Sequence, residues 1–256
     1  MKFFDQLGTS HVMKESPKRI VCLVPSITEF LVAIGLENNI VGITKFCIHP
    51  SHLKKSKEII GGTKQLQLEK IKQLSPDLII ANKEENTKED ILYLANHFPV
   101  WTTEVTDFQS AIDMMKGLSK ILNCETICNE LIDKIQQEFD IFNTTEFLKK
   151  GSVLYLIWKN PYMTIGYDTY IHSMLKIAGF ESVTEHLTRY PILGDIKTPD
   201  YIFLSSEPYP FKEKDIKELQ EIFPTSKIQL VDGELFSWYG VRMRMFPSYI
   251  KELKLN

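Results

Sequence analysis

Apolar and polar positions divide the chain into two stretches of short apolar runs and amphipathic segments, with one long stripe between them. Arg19-Ile20-Val21-Cys22-Leu23-Val24-Pro25 is a continuous apolar run closed by proline, the pattern of a strand covered on both faces. Ser26 is then placed as the cap of a helix reaching Gly35, with Thr28 and Glu29 in its first turn. Further strands are read over residues 40–44, 77–81 and 100–105, and helices over 68–74 and 87–98. The theme resumes with strands over 152–158, 200–205 and 227–231 and helices over 169–179 and 215–223. A closing helix over 241–253 is expected to be kinked by Pro247. Repeated β-α units imply mostly parallel sheets covered by helices.

Between the halves, residues 107–122 read as helical, and residues 125–142 carry Ile127, Leu131, Ile132, Ile135, Phe139 and Phe142. Spacings of three and four form one apolar stripe along a helix. At 1.5 Å per residue such a helix is a rod of roughly 30 Å. The β/α pattern stops before it and restarts after it. The expected fold is therefore α/β, two Rossmann-like β/α lobes joined by one long bridging helix. The boundaries read as 1–122 for the first lobe, 123–148 for the bridge and 149–256 for the second. A rod of this kind permits a small rocking motion rather than a wide hinge closure.

A hydrophobic fraction of 43% is enough for a sizeable core. The net charge of −3, with lysines interleaved among acids, gives no basis for nucleic-acid binding. No apolar run approaches the ~18 residues of a membrane span, so no membrane insertion is expected. Met1-Lys2-Phe3-Phe4-Asp5-Gln6-Leu7-Gly8 lacks the apolar stretch of a secretory signal, and no early cysteine marks a lipid anchor. As written, the chain reads as cytoplasmic; removal of a signal would make it periplasmic or cell-surface. Cys22, Cys47, Cys124 and Cys128 show no paired metal-site spacing and read as reduced thiols.

Motifs for phosphate cradling, zinc proteolysis and nucleophile elbows are absent from the sequence. Cys47, His49 and His52 are the one close set of metal-ligand types, with His49 the weak candidate ligand; a loop histidine beside proline is more often structural. Aromatic residues stand out instead, in loops after strands: Trp158-Lys159-Asn160-Pro161-Tyr162, Pro208-Tyr209-Pro210-Phe211 and Phe236-Ser237-Trp238-Tyr239-Gly240. Loops at the carboxyl ends of α/β strands form the ligand crevice. Three aromatic loops there suit a broad, flat, apolar ligand.

The segment Arg19-Ile20-Val21-Cys22-Leu23-Val24-Pro25-Ser26-Ile27-Thr28-Glu29 resembles the opening of the periplasmic binding proteins for vitamin B12, heme and iron-siderophores, the helical-backbone metal receptors. Val41-Gly42-Ile43-Thr44, Ile60-Gly61-Gly62 and Leu74-Ser75-Pro76-Asp77-Leu78-Ile79 extend the likeness, which runs over nearly the whole chain and is nearest to the cobalamin-binding members. The resemblance implies the class III substrate-binding fold, with ligand held between the lobes. It also implies a monomer without intrinsic cofactor, whose ligand is cobalamin or another metal chelate and whose partners, if it is exported, are an ABC permease and ATPase. Ligand-contact positions by that likeness are Pro25, Ser26 and Lys45 in the first lobe and Trp158, Tyr162, Trp238, Tyr239 and Arg242 in the second. Transporter-docking acids fall at Glu89, or Glu84 or Glu85, and at Glu213. Two other readings stay open: a cytoplasmic corrinoid- or chelate-handling or regulatory protein of this fold, and an enzyme with an interlobe site.

Overall fold

The computed structural model describes residues 1–145, 149–253 and 255. It contains two compact units. The first comprises Met1–Val105, Gln109–Asp133 and Tyr239–Val241; the second comprises Thr106–Phe108, Lys134–Trp238 and the segment from Arg242 onward.

The first unit opens with an antiparallel hairpin, β1 (Lys2–Phe4) and β2 (Ser10–Val12). Then follow β3 (Ile20–Cys22), α1 (Pro25–Ala33), β4 (Ile40–Ile43), the short α2 (Leu53–Ser56) and β5 (Glu58–Ile59). A small ribbon, β6 (Gly61–Gly62) and β7 (Gln65–Leu66), leads into α3 (Leu68–Gln73), β8 (Leu78–Asn82), α4 (Lys88–Ala95) and β9 (Val100–Thr103). The five-stranded sheet runs β5-β4-β3-β8-β9, with every pairing parallel. Val21, Leu23, Ile79 and Ala81 pack with Ile60, Ile71 and Leu94 on one side, and Ile20, Cys22, Leu78 and Ile80 are equally buried on the other. Covering both faces is what continuous apolar strands require.

Two helices follow β9, α5 (Phe108–Ile121) and α6 (Glu125–Thr145). The 21-residue α6 starts in the first unit and ends in the second. Cys128, Ile132, Ile135, Phe139 and Phe142 are its buried stripe. Ile127, expected in that stripe, is 49% exposed; one position along, Cys128 takes the inward place, four residues before Ile132 on the same helical face, with its thiol donating to the Met115 carbonyl of α5.

In the second unit β10 (Gly151–Trp158), β11 (Met163–Thr164), α7 (Tyr170–Ile177) and β12 (Phe180–Ser182) precede β13 (Tyr201–Ser205), α8 (Glu213–Ile222) and β14 (Lys227–Val231). Two short helices close the chain, α9 (Gly233–Ser237) and α10 (Phe246–Glu252). The sheet order is β11-β10-β13-β14, with β12 also on β10; all pairings are parallel except β11. Leu154, Leu156, Ile202 and Leu204 form its core with Phe211 and Leu219.

Two local expectations are corrected. The N-cap of α1 is Val24, and Ser26 sits inside the helix; Pro25 takes the first helical position, where its missing N–H costs nothing. The closing segment is not one kinked helix. A 3-10 turn over Val241–Met245 gives way to α10, and Pro247 lies in that helix's first turn, the place proline tolerates.

Candidate functional site

Each sheet has one place where its strand order reverses, between β3 and β8 in the first unit and between β10 and β13 in the second. In open α/β sheets the crevice beyond the carboxyl ends at that reversal is the usual ligand position. Pro25 and Ser26 start a helix right after β3, Lys45 follows β4, Trp158 ends β10 and Tyr162 lies in the loop after it, while Trp238, Tyr239 and Arg242 follow α9.

In the first unit Pro25 and Ser26 begin α1 directly after β3, and both are buried. Tyr239 packs on them: its phenol, buried beside Ser26, makes a long 3.5 Å hydrogen bond to Glu85 Oε1, and burial holds its pKa well above the ordinary phenol range. Gly240, at φ +98°, allows the approach, since a Cβ there would come within 3.2 Å of the Phe30 Cβ. Glu84 and Glu85 are half-buried, their backbone amides donating to Asn82 Oδ1.

The loop after β4 carries exposed apolar side chains. Phe46 and Ile48 are 48% and 40% exposed. Lys45 is exposed, with its ammonium 5.1 Å from the Phe46 ring centroid, and His49 is half-buried in the same loop. Between them Cys47 points inward. Its thiol donates to Thr28 Oγ1 at 3.3 Å and lies 3.4 Å from Thr44 Oγ1. The Lys45 amide donates to the Gly61 carbonyl at 2.8 Å. Inward Cys47 therefore pins a loop that turns Lys45, Phe46 and Ile48 outward. Phe46 and Ile48 were not singled out by sequence reasoning. The folded chain alone finds them, because the inward direction of Cys47 between them is not visible in the local sequence.

In the second unit Trp158 ends β10 and is 41% exposed, its ring 5.8 Å from that of Tyr209 in an edge-on arrangement. Tyr162 and Tyr209 are partly buried against the core. Lys159 beside them is tied to Asp215 at 2.6 Å and to Glu218, and those bonds raise its pKa. Trp238 is only 7% exposed: its Nε1 donates to Glu207 Oε1 at 2.9 Å, and the Arg242 guanidinium lies 5.2 Å from the ring centroid. Arg242 pairs in turn with Glu234 at 3.2 Å.

Glu89 and Glu213 are both exposed in the first turns of α4 and α8. Each helix follows the strand on the far side of its sheet's reversal. The four cysteines are free thiols, and burial pushes Cys22 up to about 12 and Cys124 up to about 11, which suppresses thiolate chemistry. Among the described residues no group of three or more His, Cys, Asp or Glu side chains is placed to hold a metal ion. Cys47 is engaged by threonines, and His52 by Glu37 at 2.9 Å. A groove of about 430 Å³, lined by Lys2, Phe4, Trp101 and Lys116 among others, lies beside the N-terminal hairpin and includes none of the candidate residues.

The model of the periplasmic binding protein family matches residues 20–222 of this chain. The chain belongs to that family. Among relatives, it is 28% identical over 182 residues to an uncharacterized ABC transporter substrate-binding lipoprotein of Bacillus subtilis, covering 68% of this chain and 57% of that protein. The match thus spans a little over half of that relative's length. A vitamin B12-binding protein of Vibrio vulnificus is 24% identical over 195 residues, 73% of this chain and 71% of its own. A possible iron-binding periplasmic solute-binding protein of Staphylococcus epidermidis has the same fold, with a TM-score of 0.78 at 21% identity over 93% of this chain and 98% of its own. Members of the family are substrate-binding proteins.

Proposed function

We propose that this chain binds a metal chelate of the corrinoid, heme or iron-siderophore kind and passes it to an ABC permease and ATPase, catalysing no reaction itself. The observation that carries this reading is the pair of exposed apolar platforms at the carboxyl ends of the two sheets: Phe46 and Ile48 in the first unit, Trp158 in the second. Adjacent exposed apolar side chains rimmed by polar residues mark a ligand or partner site. A broad macrocycle or an aryl-rich chelate would bury either face with little loss of side-chain entropy. Lys45 supplies a cation for a carboxylate or phosphate edge. Support for a corrinoid comes from the Vibrio vulnificus relative, and for an iron-bearing ligand from the possible iron-binding protein of Staphylococcus epidermidis. Permease and ATPase partners, with the periplasmic or membrane-anchored location they imply, are supported by the Bacillus subtilis relative. Exposed Glu89 and Glu213 are the docking acids in this reading.

The test is retention of colour. Purified protein is mixed with cyanocobalamin, hemin or a ferric hydroxamate and passed through a desalting column. One chelate is expected to travel with the protein at a stoichiometric amount; passage of all three without retention would remove the basis of the proposal.

A further inference from the structure

Glu207 is a partly buried carboxylate in a loop of the second unit. It follows β13 at the point where the second sheet reverses, two residues beyond Ser205. The Ser237 hydroxyl donates to its Oε1 at 2.5 Å and the Trp238 indole at 2.9 Å. Its own backbone is fixed as well, because the Ser205 hydroxyl donates to the Glu207 carbonyl, and the Tyr155 phenol donates to Ser205 Oγ at 3.2 Å. The space is reserved on the opposite side by Gly233, where a Cβ would stand 2.3 Å from Ser205 Oγ and 2.8 Å from Glu207 Cγ.

The surroundings disfavour a charge. Burial pushes the Glu207 carboxyl up, Glu234 and Asp232 push it further in the same direction, and the bonds from Ser237 and Trp238 oppose them. A glutamate in such surroundings is tolerated when its hydrogen bonds are well made. What they hold is the segment carrying Trp238, and on the Trp238 ring lies Arg242, which is itself braced by Glu234. The contacts run in one direction, from the rigid end of β13 through Glu207 and Trp238 to a guanidinium.

We propose that Glu207 is a positioning residue of the second unit's ligand loops: it fixes the Trp238 indole and, through it, places the Arg242 guanidinium for an anionic or amide-bearing edge of the chelate. The role rests on the chelate-binding reading above. Trp238 then acts as a support for Arg242 rather than as a stacking surface of its own, and Trp158 remains the exposed aromatic face.

The protein has three tryptophans, Trp101, Trp158 and Trp238, so a ¹⁵N-labelled sample gives three resolvable indole signals, assigned with Trp238→Phe. In the wild type the Trp238 N–H signal should lie downfield, as a donor to a carboxylate. Glu207→Ala should move that signal alone and weaken chelate binding about tenfold or more, the range of a lost hydrogen bond to a charged group. Glu207→Gln, which keeps an acceptor oxygen and the shape, should recover part of both. A Trp238 signal unmoved in Glu207→Ala overturns the proposal, as does a moved signal with unchanged affinity. If Glu207→Ala does not fold, Glu207→Leu, which keeps the bulk and removes the acceptor, decides: an unmoved Trp238 signal or an unchanged affinity overturns the proposal. If the wild type binds none of the three chelates, the proposed function fails instead, and the indole signal still decides whether Glu207 positions Trp238.

Discussion

Asp5 sits in the turn of the N-terminal hairpin, and its carboxylate accepts from His11 at 3.2 Å and from the amides of Leu7, Thr9 and Thr102. Burial pushes its pKa up, yet the bonds from His11, Thr102 and Thr9 outweigh burial, and the net shift is downward. A carboxylate lowered in the folded state adds stability that is complete above its unfolded pKa and lost as pH falls through the folded value. Chemical denaturation of Asp5→Asn and wild type should therefore differ most near neutral pH and converge in acid; parallel curves down to pH 3 would contradict this. At the same scale, the apolar aromatic platform was only half legible. The exposed position of Trp158 could be read from the sequence because it closes an obvious strand, whereas Phe46 was hidden beside a cysteine whose inward direction no local pattern reveals. Trp238 was legible as an aromatic in a strand-end loop but not as the partner of Glu207, since that contact joins residues 31 positions apart.

Periodicity made α6 the most readable element, because a three- and four-residue spacing sustained over about four turns matches a helix and no strand. It misjudged one position. Phe139 is 4% exposed and packs 4.5 Å from Phe108 and 6.0 Å from Phe246 between ring centroids, while Ile127 is 49% exposed. Phe139→Ala should cost about 3–5 kcal/mol, as truncating a buried phenylalanine does. Ile127→Ala should fall within about 0.5 kcal/mol of wild type. Urea unfolding of the two variants separates these outcomes, and equal losses would mean the stripe is misassigned. The short strands β5, β6, β7 and β12 left no usable signal, since two or three residues cannot display a period. The N-terminal hairpin was missed for a related reason: its inward residues, Phe3 and His11, are single positions, and His11 owes its burial to Trp101, 5.2 Å away between ring centroids.

At the scale of the molecule, two β/α units and a connecting helix were legible because each strand-helix repeat announces itself locally. The packing of Tyr239–Val241 with the first unit was not, because it depends on a glycine conformation and a buried phenol that only the folded chain brings together. Glu89 and Glu213 occupy the same place in the two units, exposed at the start of the helix after β8 and after β13. Charge reversal of either, Glu89→Arg or Glu213→Arg, should reduce stimulation of a cognate importer's ATPase; undiminished stimulation by the double variant would exclude them as docking acids. Chelate binding by exposed aromatic faces is the claim on which the rest depends. Calorimetric titration of wild type and Trp158→Ala with the retained chelate tests it most directly. The wild type should bind one equivalent, and Trp158→Ala should lose about 1–3 kcal/mol, roughly 5- to 150-fold in affinity; equal affinity of the two proteins would contradict it.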